Sequence, residues 1–175
     1  MIPNLFQTPL ASSPKASRAL VWAMLIMLGT VGCTQNSPTS SGTNETSSAP
    51  PTTISLTQTG CQFLETEEKD YEYQPTDAEA CKQINTDTLS QREGQFKPLT
   101  LKAGDYIFKV TNQDVPYELG FYLRGAGATG ITLPKVSGGG LTQGTTQEYQ
   151  ITLKPGNYVF SCPLNPTPDY PIVVQ

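Results

Sequence analysis

Short runs in which apolar and polar residues alternate dominate the C-terminal part of the chain. Residues 99–101 and 106–111 both show this period of two, which is typical of β-strands. Residues 102–105, Lys-Ala-Gly-Asp, separate the two runs and predict a turn. Because both faces of the 106–111 run are largely apolar, we predict a strand in the centre of a sheet.

The same pattern then occurs a second time. Residues 99–108 read LTLKAGDYIF and residues 151–160 read ITLKPGNYVF, with six of ten residues identical at an offset of 52. Gly beside Asp or Asn is typical of a tight turn, so the repeat predicts two equivalent hairpins. Such a pair suits a Greek-key sandwich, in which the loops after Val110 and Cys162 would be neighbours.

One helix start interrupts the strand signals. Thr76 is followed three residues later by Glu79, and apolar residues follow both, which is the pattern of a capping box. We therefore predict one short helix that carries Cys81.

The N-terminus has the features of an export signal. Lys15 and Arg18 precede the uncharged run 19–32, which ends at Cys33. As a helix this run would be about 21 Å long, shorter than the ~30 Å core of a bilayer, so we interpret residues 1–32 as a signal peptide. Thr-Val-Gly-Cys at 30–33 is similar to the bacterial lipobox and implies lipidation of Cys33. Secretion with a free Cys33 and an uncleaved membrane anchor are the alternatives.

The remaining chain divides into a tether and a domain. Residues 33–53 are Ser, Thr and Pro-rich and are predicted to be disordered, whereas residues 54–175 suffice for one domain. Removing the signal leaves 9 basic and 15 acidic residues, since Lys15 and Arg18 are lost from 11 basic residues, so the formal charge becomes −6. This charge excludes nucleic acid as a partner and leaves the lipid as the expected link to the membrane.

A single cysteine follows the second copy of the repeat. Residues 151–165 read as a strand, a Pro-Gly-Asn turn and a second strand that ends with Cys162 in a Pro-rich loop. This resembles the cupredoxin family, in which that cysteine is the thiolate ligand of a blue copper ion. The resemblance covers about residues 99–174. It implies an all-β fold, a Greek-key cupredoxin-like β-sandwich with one short accessory helix.

The resemblance extends to the copper-binding loops, but the ligands differ. Tyr117 follows Pro116 at the position of the first histidine, Asn165 falls at the second, and Tyr170 lies at roughly the axial methionine. A type 1 site needs two imidazoles beside its thiolate, and the chain contains no histidine. We therefore interpret Tyr117, Cys162, Asn165 and Tyr170 as vestigial metal-site positions, and we expect no metal cofactor.

The cysteines allow one intramolecular bridge if Cys33 is lipidated. Cys61 and Cys81 are the favoured pair because both lie in the segment 60–94, and a bridge to Cys162 is the alternative. We interpret Cys162 as a buried, inert thiol. A ligand for Cu(I) and a redox-active or partner-bonding cysteine are the other interpretations.

Other candidate sites have weaker support in the sequence. An acidic cluster lacks the spacing of a calcium loop and is predicted to be a solvated loop; its members are Glu65, Glu67, Glu68, Asp70 and Glu72. Tyr117 and Tyr170 are alternatively the lining of a shallow ligand patch. Without histidine neither a Ser-His-Asp nor a Cys-His arrangement exists, so we expect no enzyme.

The sequence thus predicts a membrane-anchored lipoprotein on the extracytoplasmic, periplasmic side. Its domain would be a binding or scaffolding module without type 1 copper, with a protein partner that the sequence does not identify. The alternative is an atypical copper-binding or electron-transfer protein that uses Cys162.

Overall fold

The structure is a computed structural model that describes residues 49–175. Nine strands and two α-helices form one unit, with two 3₁₀ turns at Glu93–Gln95 and Ala128–Thr132. In chain order the elements are β1 (Thr52–Thr59), β2 (Gln62–Phe63), α1 (Leu64–Glu67), α2 (Ala78–Arg92), β3 (Leu99–Leu101), β4 (Gly104–Asn112), β5 (Leu119–Gly125), β6 (Val136–Leu141), β7 (Thr146–Leu153), β8 (Gly156–Ser161) and β9 (Tyr170–Val174).

The strands form two sheets that enclose one core. The first sheet has the order β2-β1-β4-β7 and the second the order β3-β9-β8-β5-β6. β4 lies between β1 and β7, so the predicted central strand is confirmed. Aromatic side chains fill the core, among them Phe63, Phe108, Phe121, Phe160 and Tyr158. The predicted fold class, a β-sandwich with one main helix, is confirmed.

Each copy of the sequence repeat forms a corner of the sandwich, where the chain passes from one sheet to the other. β3 pairs with β9 in the second sheet, whereas β4 pairs within the first sheet. β7 and β8 likewise belong to different sheets. The predicted hairpins are therefore wrong, although the predicted strands and turns exist. Turn chemistry specifies a change of direction, but the packing of the two sheets decides which strands pair.

Each corner has the same local structure. Gly104 has φ 154° and Gly156 has φ 152°, in a region that residues with a side chain rarely adopt. The tyrosine two residues later, Tyr106 or Tyr158, donates a hydrogen bond to the carbonyl oxygen four residues upstream, at 2.9 Å and 3.0 Å. This bond ties the strand after the turn to the backbone at the end of the strand before it. The two strands belong to different sheets, as in a tyrosine corner.

The main helix is longer than the sequence predicted and begins one residue later. α2 contains 15 residues, and its N-cap is Asp77. The Asp77 carboxylate accepts a 2.9 Å hydrogen bond from the backbone N–H of Ala80. Because a carboxylate also interacts favourably with the positive end of the helix dipole, Asp77 takes the cap position in place of Thr76.

The domain begins slightly before the predicted boundary. β1 starts at Thr52, two residues before Ile54, and pairs with β4 from its first residue. The predicted signal peptide 1–32, the lipidation of Cys33 and the tether up to residue 48 lie outside the described residues. Among residues 49–175, no helix is both long and apolar enough to cross a membrane.

Candidate functional site

Two loops meet at one end of the sandwich and form the candidate site. The first loop follows β4, and Asn112 at the end of that strand holds it in place. The buried amide of Asn112 donates to the carbonyl oxygens of Val115 and Leu141 at 3.1 Å and 3.0 Å and accepts from the Val115 N–H at 3.0 Å. This network fixes the backbone that leads to Tyr117.

The second loop brings Asn165 to Tyr117. The Tyr117 hydroxyl lies 2.8 Å from Asn165 Oδ1 and 3.2 Å from the carbonyl oxygen of Asp77, and its proton is shared between these acceptors. Asn165 is fully buried, whereas Tyr117 is half-buried. The predicted proximity of the two loops is therefore confirmed.

Cys162 lies next to the contact between Tyr117 and Asn165. Its thiol is buried, and Sγ accepts hydrogen bonds from the backbone N–H groups of Gly120 at 3.2 Å and Asn165 at 3.3 Å. Burial raises the pKa of the Cys162 thiol, and these backbone donors oppose the rise only in part. Cys162 is therefore held as a protonated thiol at neutral pH.

The disulfide between Cys61 and Cys81 is confirmed, with the sulfur atoms 2.01 Å apart. The sequence analysis did not predict where this disulfide would lie relative to the second loop. Cys81 Sγ lies 2.6 Å from Asn165 Oδ1 and 3.6 Å from the Tyr117 hydroxyl. Cys81 of the disulfide and the free Cys162 therefore both contact the same asparagine.

Tyr170 has a different environment from the other three predicted positions. Its hydroxyl donates to Glu67 Oε1 at 2.5 Å and accepts from the Phe63 N–H at 3.3 Å. Burial and the adjacent Glu67 carboxylate raise the pKa of Tyr170. Among the hydrogen bonds of the described residues, none joins Tyr170 to Tyr117, Cys162 or Asn165. Hydrogen bonds thus connect three of the four predicted positions, whereas Tyr170 is bound to Glu67 and Phe63 instead.

Glu67 forms a buried ion pair that the sequence analysis missed. Arg92 Nη1 donates to the Glu67 carboxylate oxygens at 2.6 Å and 2.7 Å, and the Arg92 and Glu67 side chains are only 2% and 1% exposed. Arg92 also donates to Asn85 Oδ1. The prediction of a solvated acidic loop is therefore wrong for Glu67. Its partner lies 25 residues away on α2, so no local spacing pattern could have indicated the pair.

The described residues contain no ready-made metal site of the usual donor types. Within residues 49–175, no group of three or more His, Cys, Asp or Glu side chains is placed to hold a metal ion. The candidate site instead combines a phenol, an amide, a thiol and a disulfide.

Several solved structures are similar to this one. Auracyanin B is 13% identical, with a TM-score of 0.46, and the match covers 73% of this chain and 91% of auracyanin B. Auracyanin A, a "blue" copper protein from Chloroflexus aurantiacus, is 14% identical with a TM-score of 0.39, and the match covers 71% of this chain and 99% of the other. An oxidised point mutant of amicyanin is 22% identical with a TM-score of 0.31, and the match covers 45% of this chain and 69% of the other. No protein-family model and no curated protein sequence matches the chain.

Proposed function

We propose that this protein is a lipid-anchored, extracytoplasmic binding or scaffolding module that does not hold type 1 copper. The observation that carries the proposal is the absence of histidine from all 175 residues. A type 1 site needs two imidazoles in the plane of the copper thiolate. The side chains at the corresponding positions are Tyr117 and Asn165.

These side chains do not fit a copper ion. Burial, followed by the nearby Cys162 and Asp77, raises the pKa of Tyr117 to about 12, so its phenol stays protonated at neutral pH. The Asn165 amide oxygen accepts from Tyr117 and lies against the disulfide. The raised pKa of Cys162 also disfavours the thiolate that a metal requires.

The same contacts support a structural role for this end of the sandwich. Tyr117 joins the first loop to Asn165 and to the backbone at the start of α2. The Asn85 amide donates to the Pro166 carbonyl oxygen at 2.5 Å, and the disulfide connects α2 to the turn between β1 and β2. The helix is thus fastened to both loops, which suits a rigid surface that binds a partner.

Adding Cu(II) to the purified protein should produce no stable blue chromophore, and visible absorption measures this directly. Cu(II) should bind weakly or oxidise Cys162, because an amide and a protonated phenol replace imidazole poorly. The double variant Tyr117→His with Asn165→His should gain at least partial copper affinity, since the two side chains are already in contact.

The matched control carries both histidines together with Cys162→Ser. This control should lose any colour that the histidine variant gains, because the colour requires the thiolate. Tight binding of one Cu(II) with a blue colour in the wild type would refute the proposal. A histidine variant without gain in copper affinity would refute the correspondence between these loops and a copper site.

The second candidate function is binding of Cu(I) or electron transfer through Cys162. The two backbone N–H groups that point at Sγ favour it, because such donors stabilise a thiolate. Competition for Cu(I) with a chromophoric chelator, compared between wild type and Cys162→Ser, distinguishes it from the first proposal. A large difference between the two proteins would support this candidate, whereas equal binding would eliminate it.

Cys33→Ser should release the protein from membranes or leave the signal uncleaved, because the proposed anchor depends on that thiol. The motif at residues 30–33 and the polar segment behind it support this expectation. Membrane fractionation combined with mass spectrometry of the N-terminus measures both outcomes. A variant that is processed normally and stays membrane-bound would rule out the lipid anchor.

A further inference from the structure

A concave surface rich in aromatic and amide groups lies apart from the site described above. The concavity has a volume of about 370 Å³, and Tyr71, Tyr73, Lys69, Gln91, Gln95 and Arg92 contribute to its lining. This volume falls within the range of small-ligand sites. None of these side chains belongs to the contact between Tyr117, Asn165 and Cys162.

The two tyrosines form a parallel pair on a rigid base. Their rings are inclined by 7° with centroids 5.5 Å apart, and the Arg92 guanidinium carbon lies 5.6 Å from each centroid. Arg92 is itself buried and held by the Glu67 carboxylate. The aromatic pair therefore lies beside a positive charge that cannot move freely.

The backbone that carries the tyrosines is also fixed. Gln62 donates through Nε2 to the Lys69 carbonyl oxygen at 2.6 Å and accepts from the Tyr71 N–H at 3.1 Å. Between the tyrosines, Glu72 adopts φ 57°, a left-handed conformation that is uncommon for a residue with a side chain. The surface is preorganised, which lowers the entropy cost of binding.

The chemistry of the lining selects a class of ligand. The two aromatic rings offer apolar surface, and the amides of Gln91 and Gln95 offer neutral donors and acceptors. Lys69 supplies one exposed ammonium, which lies 4.6 Å from the Tyr71 centroid. Of the described side chains that line the concavity, none is a carboxylate. A polyphosphate would need more cations, and a wholly apolar ligand would leave the amides without partners.

We infer that this surface binds the pyranose rings of a glycan. A sugar ring has an apolar C–H face that packs on an aromatic ring, and its hydroxyl groups both donate and accept hydrogen bonds. Two amides and one ammonium beside two tyrosines match that combination. The inference is independent of whether the Cys162 site binds copper.

Isothermal titration calorimetry of the full-length protein with three hexasaccharides tests the inference. The probes are chitohexaose, cellohexaose and maltohexaose, and the detergent must lack a sugar headgroup. At least one probe should bind saturably. Tyr71→Ala and Tyr73→Ala should each weaken that binding by about tenfold, the scale of a lost aromatic contact.

Two further variants keep the test interpretable. Gln91→Ala alters an exposed side chain and should weaken binding without affecting folding. Tyr122→Ala is the matched control, because Tyr122 also pairs with an arginine, with the Arg124 guanidinium carbon 4.8 Å from its centroid, but lies elsewhere on the surface. Tyr122→Ala should leave binding unchanged. Absence of saturable binding to all three probes, or equal affinities in the wild type and the Tyr71 and Tyr73 variants, would overturn the inference.

Discussion

Replacing Glu67 with glutamine should lower the free energy of unfolding by about 3 to 5 kcal/mol, because it leaves the buried Arg92 without its counter-ion. The Glu67 and Arg92 side chains are only 1% and 2% exposed, so water cannot compensate the lost charge. The substitution also weakens the hydrogen bond from Tyr170 to the Glu67 carboxylate. Denaturation by urea, followed by far-UV circular dichroism, measures the change.

A neighbouring ion pair provides the matched control. Glu68 pairs with Lys97, but these side chains are 55% and 62% exposed, so Glu68→Gln should change stability by less than about 1 kcal/mol. Adding Arg92→Leu to Glu67→Gln removes both buried charges and should recover part of the loss. Equal effects of Glu67→Gln and Glu68→Gln would show that the buried pair is not worth more than an exposed one.

The strands and turns of this protein can be predicted from local sequence patterns, whereas the pairing of the strands cannot. The repeat at residues 99–108 and 151–160 indicates two strand-turn-strand units, and both exist. Each unit nevertheless crosses between sheets, because β3 finds its partner in β9 and β8 finds partners in β5 and β9. β8 and β9 follow each other along the chain, but the other partners are distant in sequence, and only the burial of the core selects them.

The candidate site could also be predicted only in part. Tyr117 and Asn165 could be placed together because they follow two strands that the sequence predicts to end at the same edge. The contact of the disulfide with Asn165 could not be predicted, since the spacing of Cys61 and Cys81 says nothing about what covers them. The pairing of Glu67 with Arg92 could not be predicted for a related reason. An acidic residue among other acidic residues looks solvated unless its distant cation is known.

The Cys61–Cys81 disulfide should contribute about 2 to 5 kcal/mol to stability, so Cys61→Ser and Cys81→Ser should each lower the free energy of unfolding by a similar amount. The two cysteines are 20 residues apart, and closing a loop of that length is worth about 3 kcal/mol in the chain-entropy model. The bridge holds the first turns of α2 to the turn between β1 and β2. Chemical denaturation of the single and double variants measures its contribution.

Because either substitution alone removes the whole bridge, the double variant should be no less stable than the weaker single variant. Cys162→Ser is the matched control, since it removes a buried thiol but keeps the disulfide. A reductant should destabilise the wild type and Cys162→Ser, and it should leave the double variant unchanged.

Thiol counting on the denatured, unreduced protein shows which of the described cysteines are free. With Cys33 lipidated it should find one free thiol, and that thiol should disappear in Cys162→Ser. A count of three free thiols would contradict the bridge. Strictly additive losses in the double variant would show instead that the two cysteines stabilise the fold separately, through their own packing.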